Sequence, residues 1–592
     1  MSEYIHPRQD VDFVLNEVIG FDQFCQDKKL EDVNAELTSV ILSEAARLGS
    51  EVIAPLNHTG DQQGSVLTDA GVQQADGFAE AYQQYIEGGW ASLTGSPEFD
   101  GQGLPNILGT AVNEIWQSAN LAFSLCPMLG QGAIEAIQHH GSESLKQAWL
   151  PKMISGEWTG TMNLTEPDAG TDLAAIKSRA TPNGDHYLIS GQKIFITWGD
   201  HQMTDNVVHL VLARLPDAPA GVKGISLFVV PKFLLNEVGE PCARNDAHCI
   251  ALEHKLGIHA SPTCVMSFGD NGGAVGYLVG EAHQGLKAMF TMMNHARQGV
   301  GLQGLAVSER AYQQARTYAQ ERLQGTRKDG SRFPIIEFPD VRRMLMLQKA
   351  GIEAMRALAY EASLEIDRLS YADNAEDKAR HKARVELSTP IVKGWITEMA
   401  QELTSNAVQI HGGMGFIEET GVAQHYRDAR ILPIYEGTTG IQALDLIGRK
   451  MLLNRGESMA VLLADIQATV SELAQDPELA LIAQSLATAL ADATEVRQWL
   501  LDQSGQQAQL AETVAWHYLM MSGYLCGGWM LARSALCARK ALSEGRGDAR
   551  FLQAKVTTAG FYMTQLLPRA HAHFAGVQAG TDTVLALSDD QF

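Results

Sequence analysis

The residues best suited to chemistry lie in the short polar segment Tyr435–Gly440, where Glu436 stands between an aromatic residue and a glycine. Hydroxyls follow at Thr438 and Thr439. A carboxylate held in an apolar, closed site has a raised pKa and can act as a base near neutral pH. The same residues are also consistent with an exposed glutamate at the start of a helix, where the helix dipole stabilises its negative charge. Taken alone, the segment favours the exposed glutamate.

Two other segments could hold a flat ring or a phosphate. Met162–Asp172 offers hydroxyls and turn backbone at Thr165, Gly170 and Thr171, although a turn built on proline and glycine accounts for it equally well. Gly191–Gly199 ends a strand pattern with a hydroxyl and an indole, which can stack on and hydrogen-bond a ring or serve as ordinary strand residues. A glycine-rich stretch, Gln409–Phe416, would let backbone approach a ligand closely.

Composition removes several classes of function. The 592 residues carry 45 Lys plus Arg against 69 Asp plus Glu, a net charge of −24, so nothing attracts the chain to nucleic acid or anionic lipid. The seven cysteines show no CxxC spacing, and no histidine group has the spacing of a metal site. No GxSxG is present. Because the start of the sequence shows no secretory pattern, we expect a cytoplasmic protein. From the cysteine and histidine spacing, we expect no bound metal.

Two patterns suggest other functions but fit helices better. Gly299–Gly304 matches the dinucleotide fingerprint GxGxxG, yet the residues before it read as helix rather than as the strand that the fingerprint requires. Small residues there favour close helix packing. Trp516–Ala532 is almost long enough to span a membrane. It contains a histidine, a serine and three glycines, so a helix buried in a bundle explains it, and we expect no stable membrane span.

The pattern of the chain is helical, then β, then helical again. Helical periodicity covers Ala35–Ala54 and Gly132–Met153, and it returns after Gly285. Between the predicted strands of the middle region there is no long helical pattern that could form the crossover connections of a parallel sheet. The predicted strands are Tyr187–Ser190, Lys193–Thr197, Val207–Leu215, Gly224–Val230 and Cys264–Phe268. The predicted domains are 1–157 (helical), 158–283 (β), 284–455 (helical bundle) and 456–592 (additional helical).

In this order, the segments resemble the acyl-CoA dehydrogenase family over about Ile41 to Leu453. The motifs that carry the resemblance are Leu164–Asp172, Lys193–Thr197, Lys255–Thr263, Arg297, Gln409–Phe416 and Ile434–Thr438. The long N-terminus and the extension after Gly456 are similar to the larger bacterial subtype, which includes methylthiopropanoyl-CoA dehydrogenases. The implied fold is mostly α, with a helical N-domain, a β-barrel-like middle domain, a C-terminal four-helix bundle and an appended helical domain.

The resemblance also implies an activity. Glu436 falls on the catalytic base, which removes the α-proton of an acyl-CoA while noncovalently bound FAD accepts the β-hydride, giving a trans-2-enoyl-CoA. Electrons would pass to an electron-transfer flavoprotein. The acyl chain could be anything from short, including methylthiopropanoyl, to long.

Further site residues follow by position from the resemblance. The implied FAD contacts are Leu164, Thr165, Gly170, Thr171, Ile196, Thr197, Arg322, Gln409, Gly413 and Thr438. The implied substrate contacts are Thr171, Asn294, Arg297 and Gly437. Three of the FAD contacts, Arg322, Gln409 and Gly413, would reach the cofactor of a neighbouring subunit. A homodimer is therefore the smallest expected assembly.

The sequence departs from the family pattern at three places. Phe195 replaces a frequent tryptophan, 322–330 differs from the usual segment, and Gly440 takes a position often held by glutamine. An acyl-CoA oxidase using O2 is the alternative enzyme. A flavin-containing protein that protects nucleic acid, or a scaffold, is the alternative of another class. The net charge of −6 on 456–592, from 8 basic and 14 acidic residues, argues against binding to nucleic acid.

Overall fold

The computed structural model describes residues 3–592, which form two compact units. The first, here the helical unit, consists of residues 3–43, Asn106–Glu114 and Val300–Phe592. The second, here the β-containing unit, consists of Glu44–Pro105 and Ile115–Gly299. Each unit is described by itself.

The first part of the chain is helical, as predicted. Its elements are α1 (Arg8–Phe13), α2 (Phe21–Asp27), α3 (Ala35–Leu48), α4 (Leu56–Gln63), β1 (Val66–Thr68), β2 (Gly71–Gln73), α5 (Phe78–Glu87), α6 (Asn106–Ala119), α7 (Leu121–His140) and α8 (Glu143–Ile154). The stretch Gly132–Met153 is helical, as predicted, but it belongs to α7 and α8. It is two helices, because the chain breaks at Gly141 and the Ser142 hydroxyl caps α8 by accepting from the Leu145 amide at 3.3 Å.

The middle of the β-containing unit contains an eight-stranded sheet and a separate two-stranded hairpin. The strands of this region are β3 (Trp158–Asn163), β4 (Arg179–Asn183), β5 (His186–Thr197), β6 (Asn206–Arg214), β7 (Ile225–Pro231), β8 (Phe233–Leu235), β9 (Pro241–Arg244), β10 (Ala247–Leu252), β11 (Thr263–Phe268) and β12 (Ala274–Val279). The strand order is β10-β11-β5-β12-β7-β6-β3, with β4 beside β5 and β6, while β8 and β9 form a separate hairpin.

The predicted strands are present, but Tyr187–Ser190 and Lys193–Thr197 are one strand, β5. Most neighbours pair antiparallel, as expected for a sheet without helical crossovers. β3 and β6 nevertheless pair in parallel, from Trp158 opposite Asn206 to Asn163 opposite Val211. The connection between them contains β4 and β5, so it is long enough for a parallel return without a helix.

The rest of the chain is helical except for one hairpin. Its elements are α9 (Gly285–Glu321), β13 (Leu323–Thr326), β14 (Arg332–Pro334), α10 (Pro339–Ser370), α11 (Ala375–His411), α12 (Val422–Ala429), α13 (Thr439–Leu444), α14 (Glu457–Leu473), α15 (Ala480–Gln503), α16 (Leu510–Ser543), α17 (Ala549–Gln565) and α18 (Pro568–Gln578). The β13–β14 hairpin was not predicted. It occupies the segment 322–330, where the sequence departs from the family pattern, and the residues just after it.

The GxGxxG letters lie inside α9, so the predicted helical context is confirmed. A Cβ added at Gly301 would lie 2.5 Å from Val392 Cγ1, and one at Gly304 would lie 3.1 Å from Ile396 Cγ2. Both partners are on α11. These glycines therefore allow α9 and α11 to pack closely, as the sequence predicted.

The apolar stretch Trp516–Ala532 lies in α16, and most of it is buried in the helical unit. A Cβ at Gly523 would lie 2.1 Å from Trp395 Cγ, which explains the glycine as a point of close packing. In residues 3–592, length and composition alone mark a single segment, Pro477–Gln503 and not Trp516–Ala532, as able to cross a membrane. Core helices of soluble proteins pass the same test, so one such segment is weak evidence.

Candidate active site

The implied cofactor residues near the start of the sheet are held together by backbone contacts. β3 ends at Asn163, and Leu164 and Thr165 follow it directly. The Ile194 amide on β5 donates to the Thr165 carbonyl at 2.9 Å. This bond attaches the loop to the same strand that carries Ile196 and Thr197. The structure therefore brings Leu164, Thr165, Ile196 and Thr197 together within the β-containing unit.

A buried ion pair fixes this loop, and neither partner was predicted to have a role. Lys193 Nζ donates to Glu166 Oε1 at 2.8 Å and to the Leu164 carbonyl at 3.0 Å. The Glu166 carboxylate also accepts from the Lys177 and Ser178 amides at 2.6 and 3.1 Å. Burial lowers the pKa of Lys193 to about 8. Burial also acts to raise the pKa of Glu166, but the Lys193 charge and these hydrogen bonds lower it overall.

Phe195, the residue that departs from the family pattern, lies on a β-bulge. Cys264 pairs with Ile196 and Met266 pairs with Lys193, so Ile194 and Phe195 together face a single residue of β11. Phe195 has a φ of 61°, a conformation that bulky side chains rarely adopt. Its ring is 59% exposed. The bulge therefore turns an aromatic ring outward beside the Thr165 loop.

Three hydroxyls of the implied cofactor contacts are available to a ligand. Within residues 3–592, the hydroxyls of Thr165, Thr171 and Thr197 make no hydrogen bond to another side chain or to backbone. A Cβ built on Gly170 meets no atom within 4 Å, so the turn is open. An exposed aromatic ring with free hydroxyls suits a flat heteroaromatic ring that has nitrogen and carbonyl edges. The residues present therefore fit a flavin.

We expect Lys193→Met to lower the free energy of unfolding by about 3–5 kcal/mol, because it leaves the buried Glu166 carboxylate uncompensated. The same change should weaken FAD retention, since Leu164 and Thr165 lose their support. Urea unfolding and the bound flavin per chain measure the two effects. Lys177→Met is the matched control, because Lys177 pairs with Asp168 on the surface. Equal stability of the two variants would contradict a supporting role for the buried pair.

The same pair predicts a dependence of stability on pH. Because the pKa of Glu166 is lower in the folded chain than its ordinary value of 4.5, its ionised form contributes stability above that value. The contribution is lost as the pH falls through the lowered pKa. As the pH falls below 4.5, we expect the free energy of unfolding to fall more steeply in the unmodified chain than in Glu166→Gln. Parallel slopes in urea unfolding would contradict this assignment.

Glu436 lies in the loop between α12 and α13 of the helical unit. It is half-buried and has a φ of 56°, and Gly437 follows with a φ of 87°. α13 then begins at Thr439, and the Thr438 hydroxyl caps it by accepting from the Ile441 amide at 3.3 Å. Glu436 thus lies close to a helix start, but it is half-buried and not exposed, which corrects the interpretation of an exposed glutamate. Two consecutive left-handed residues, one of them not glycine, mark a strained backbone.

Three side chains hold this strained loop, and the sequence singled out none of them. Lys393 Nζ donates to the Gly437 carbonyl at 2.7 Å. The Gln442 amide donates to the Glu436 and Gly437 carbonyls at 3.2 and 3.3 Å. The Tyr435 hydroxyl donates to Gln303, and burial raises the pKa of that tyrosine above its usual range. The one available signal was a lysine in an otherwise apolar stretch of helix, Ile391–Ile396.

The residues implied to reach a neighbouring subunit's cofactor are exposed on the helical unit. Gln409 lies near the end of α11, Gly413 follows that helix, and Arg322 follows α9. The His411 ring stacks on Tyr318 with ring centroids 4.3 Å apart, which ties the end of α11 to α9.

Thr438 lines a groove of about 650 Å³, a volume within the usual range of ligand sites. Its other walls come from three elements of the helical unit, represented by Ser405 on α11, Tyr426 on α12 and Trp516 on α16. A half-exposed indole and a phenol are side chains on which a flat ring can stack. The groove therefore adds an open ligand-sized surface beside Thr438.

Two of the four implied substrate contacts, Asn294 and Arg297, lie one turn apart on α9. Arg297 Nη1 donates to Asn294 Oδ1 at 3.4 Å. Arg297 is only 7% exposed, whereas Asn294 is exposed. The implied site residues thus form two sets. One set, from Leu164 to Arg297, lies on the β-containing unit, and the other, from Arg322 to Thr438, lies on the helical unit.

Four family models match consecutive parts of the chain. They are the acyl-CoA dehydrogenase N-terminal domain (40–157), middle domain (161–271) and C-terminal domain (283–452), and the acetyl-CoA dehydrogenase C-terminal-like domain (462–588). The chain is 46% identical to 3-methylmercaptopropionyl-CoA dehydrogenase of Ruegeria pomeroyi, covering 99% of this chain and 100% of that protein. It is 34% identical to the broad-specificity linear acyl-CoA dehydrogenase FadE5 of Mycobacterium tuberculosis, covering 96% of each.

Solved structures show the same fold. An acyl-CoA dehydrogenase of Bacillus anthracis complexed with FAD superposes with a TM-score of 0.75 at 22% identity, covering 95% of this chain and 90% of that one. Caenorhabditis elegans ACDH-11 in complex with C11-CoA gives the same TM-score at 19% identity, covering 97% and 95%. With relatives matched over their full length and every domain model in order, the chain belongs to the acyl-CoA dehydrogenase family.

Proposed function

We propose that the protein is an FAD-dependent enzyme that introduces a trans α,β double bond into an acyl-CoA thioester, with Glu436 as the base. The observation that carries the proposal is the geometry of Glu436. It is a half-buried carboxylate in a left-handed conformation, held by a buried ammonium and a buried amide. Strain of this kind persists where the surrounding structure enforces it, and it clusters at functional sites.

The α-proton of a thioester is weakly acidic, so its removal needs a positioned base and donors for the negative charge that develops on the carbonyl. Glu436 takes this proton, and its backbone amide is the donor that the chain supplies. Asn294, Arg297, Thr171 and Gly437 bind and orient the CoA thioester. When bound, FAD supplies a hydride acceptor for the β-hydrogen.

The FAD would be held by two groups of residues. On the β-containing unit these are Leu164, Thr165, Gly170, Thr171, Ile196 and Thr197, where Phe195 offers an exposed ring. On the helical unit Thr438 contacts the cofactor of its own chain. Arg322, Gln409 and Gly413 contact that of a neighbouring chain, so the enzyme is a homodimer or a larger homo-oligomer.

The name of the Ruegeria relative suggests the substrate to test first. We propose a short acyl-CoA of the 3-(methylthio)propanoyl type, an electron-transfer flavoprotein as the acceptor, and a cytoplasmic location. The four domains are proposed at 1–157, 158–283, 284–455 and 456–592, and the last of them matches a family model of its own.

One experiment separates the dehydrogenase from an acyl-CoA oxidase. The holoenzyme is reduced anaerobically with acyl-CoA and then mixed in a stopped-flow instrument with air-saturated buffer or with electron-transfer flavoprotein. We expect flavin absorbance to recover fast with the acceptor protein and slowly with oxygen. Rapid recovery in oxygen alone would overturn the dehydrogenase assignment.

A further inference from the structure

We propose that Lys393 is a positioning residue for Glu436, and that Gln442 assists it. Their side chains capture the carbonyls of Glu436 and Gly437 and so keep the base in its left-handed conformation. The inference rests on the proposed role of Glu436 as the base, and it adds two residues on α11 and α13 that the family motifs did not mark.

The first observation is the burial of an ammonium group beside the base. Lys393 is 0% exposed, and its Nζ donates to the Gly437 carbonyl at 2.7 Å, the short distance of a charge-assisted bond. Removing a lysine charge from water is costly. The structure nevertheless places a charged donor on the carbonyl of the residue after Glu436, which indicates that this carbonyl is held firmly.

Gln442 is a second buried side chain that holds the carbonyls of Glu436 and Gly437. It is also 0% exposed, and its amide reaches the Glu436 carbonyl at 3.2 Å and the Gly437 carbonyl at 3.3 Å. In a trans peptide the N–H points opposite to the C=O. With both carbonyls directed at these inner donors, the amides of Gly437 and Thr438 point away from them. The two side chains thereby fix the orientation of both peptide planes that follow the base.

The strain explains why such holding is needed. The left-handed region is unfavourable for a non-glycine residue, so Glu436 with a φ of 56° relaxes unless its surroundings prevent it. Relaxation would rotate the carboxylate away from its present position. A misplacement of about 1 Å at a reacting group can cost about 100-fold in rate. Lys393 therefore acts mainly on the rate of proton removal, with a smaller effect on acyl-CoA binding through Gly437.

The test compares Lys393→Met with Thr404→Val in the holoenzyme. Thr404 is a buried polar residue of the same helix whose hydroxyl bonds only within that helix, to the Ala400 carbonyl at 2.7 Å. Anaerobic stopped-flow mixing with acyl-CoA gives the limiting rate of flavin bleaching and the Kd. We expect Lys393→Met to lower the limiting rate about 100-fold, with Kd within about threefold and the bound FAD per chain unchanged. Thr404→Val should keep all three values.

Gln442→Leu is the second variant, and it tests the positioning role if Lys393→Met does not fold. It should show the same pattern, a lower limiting rate with little change in Kd. An unchanged rate in both variants, or losses that follow FAD content alone, would overturn the inference. Glu436→Gln is measured in parallel. If it still bleaches, the proposed function fails. If it does not, while both other variants bleach at the normal rate, only the positioning role fails.

Discussion

Replacing Glu436 with glutamine should lower the rate of flavin bleaching by acyl-CoA by about 100- to 10,000-fold, the contribution typical of a positioned general base. Glutamine has the same shape but cannot accept the proton. The left-handed backbone, the Lys393 and Gln442 bonds and the Thr438 cap do not involve the carboxylate atoms, so they should persist. Stopped-flow absorbance measures the rate, and equilibrium dialysis measures the retention of FAD and acyl-CoA.

Glu376→Gln is the control for this prediction. Glu376 is an exposed glutamate in the first turn of α11, and its change removes one negative charge without touching the loop of Glu436. It should bleach at the normal rate. Unchanged bleaching in Glu436→Gln would refute its role as the base, whereas loss of FAD from that variant would show that the carboxylate also supports the cofactor.

The second large effect is expected at Arg356, the centre of a buried charge cluster in the helical unit. Its guanidinium is 1% exposed and donates to Glu114 at 2.7 and 2.9 Å, to Glu309 at 2.8 Å, and to Asp10. The Tyr360 hydroxyl donates to Glu114 at 2.6 Å. The cluster joins α1, α6, α9 and α10. It therefore ties the N-terminal segment to the helices of the bundle.

We expect Arg356→Met to lower the free energy of unfolding by about 3–5 kcal/mol, because without this cation the buried Glu114 carboxylate keeps, among the described residues, only the Tyr360 hydroxyl as a partner. Arg343→Met on the same helix is the control. Arg343 pairs with Asp340 at the surface, where such pairs contribute about 0–1 kcal/mol. Adding Glu114→Gln to Arg356→Met should recover part of the loss. Urea unfolding compares the three, and equal midpoints for Arg356→Met and Arg343→Met would contradict this account.

The sequence predicted elements well where local pattern decides them. Val207–Leu215 and Gly224–Val230 are continuous apolar runs, and they are the buried strands β6 and β7. The break at Gly141 had a local signal as well, since a glycine followed by serine and glutamate is typical of one helix ending and another beginning. The parallel pairing of β3 with β6 had no such signal, because it depends on contacts about 48 residues apart along the chain.

For the candidate site too, the sequence predicted local features but not contacts between distant positions. Positions such as Glu436 and Thr165 followed from motifs, since the family resemblance assigns them one by one. The residues that hold them did not. Lys193 meets Glu166 across 27 positions, and Lys393 meets Gly437 across 44. Such pairs are made by tertiary packing. Nor could the letters show that Phe195 adopts a positive φ, because this conformation is disfavoured for a bulky side chain and is imposed by the bulge.

The most direct test of the central claim is an anaerobic titration of the holoenzyme with saturated acyl-CoA thioesters, beginning with 3-(methylthio)propanoyl-CoA and extending to longer chains. Flavin absorbance reports reduction, and mass spectrometry identifies the thioester released. We predict bleaching with one or more of these compounds and a product lighter by two hydrogens, the trans-2-enoyl-CoA. A fully loaded flavoprotein that no acyl-CoA of the series bleaches would contradict the proposed function.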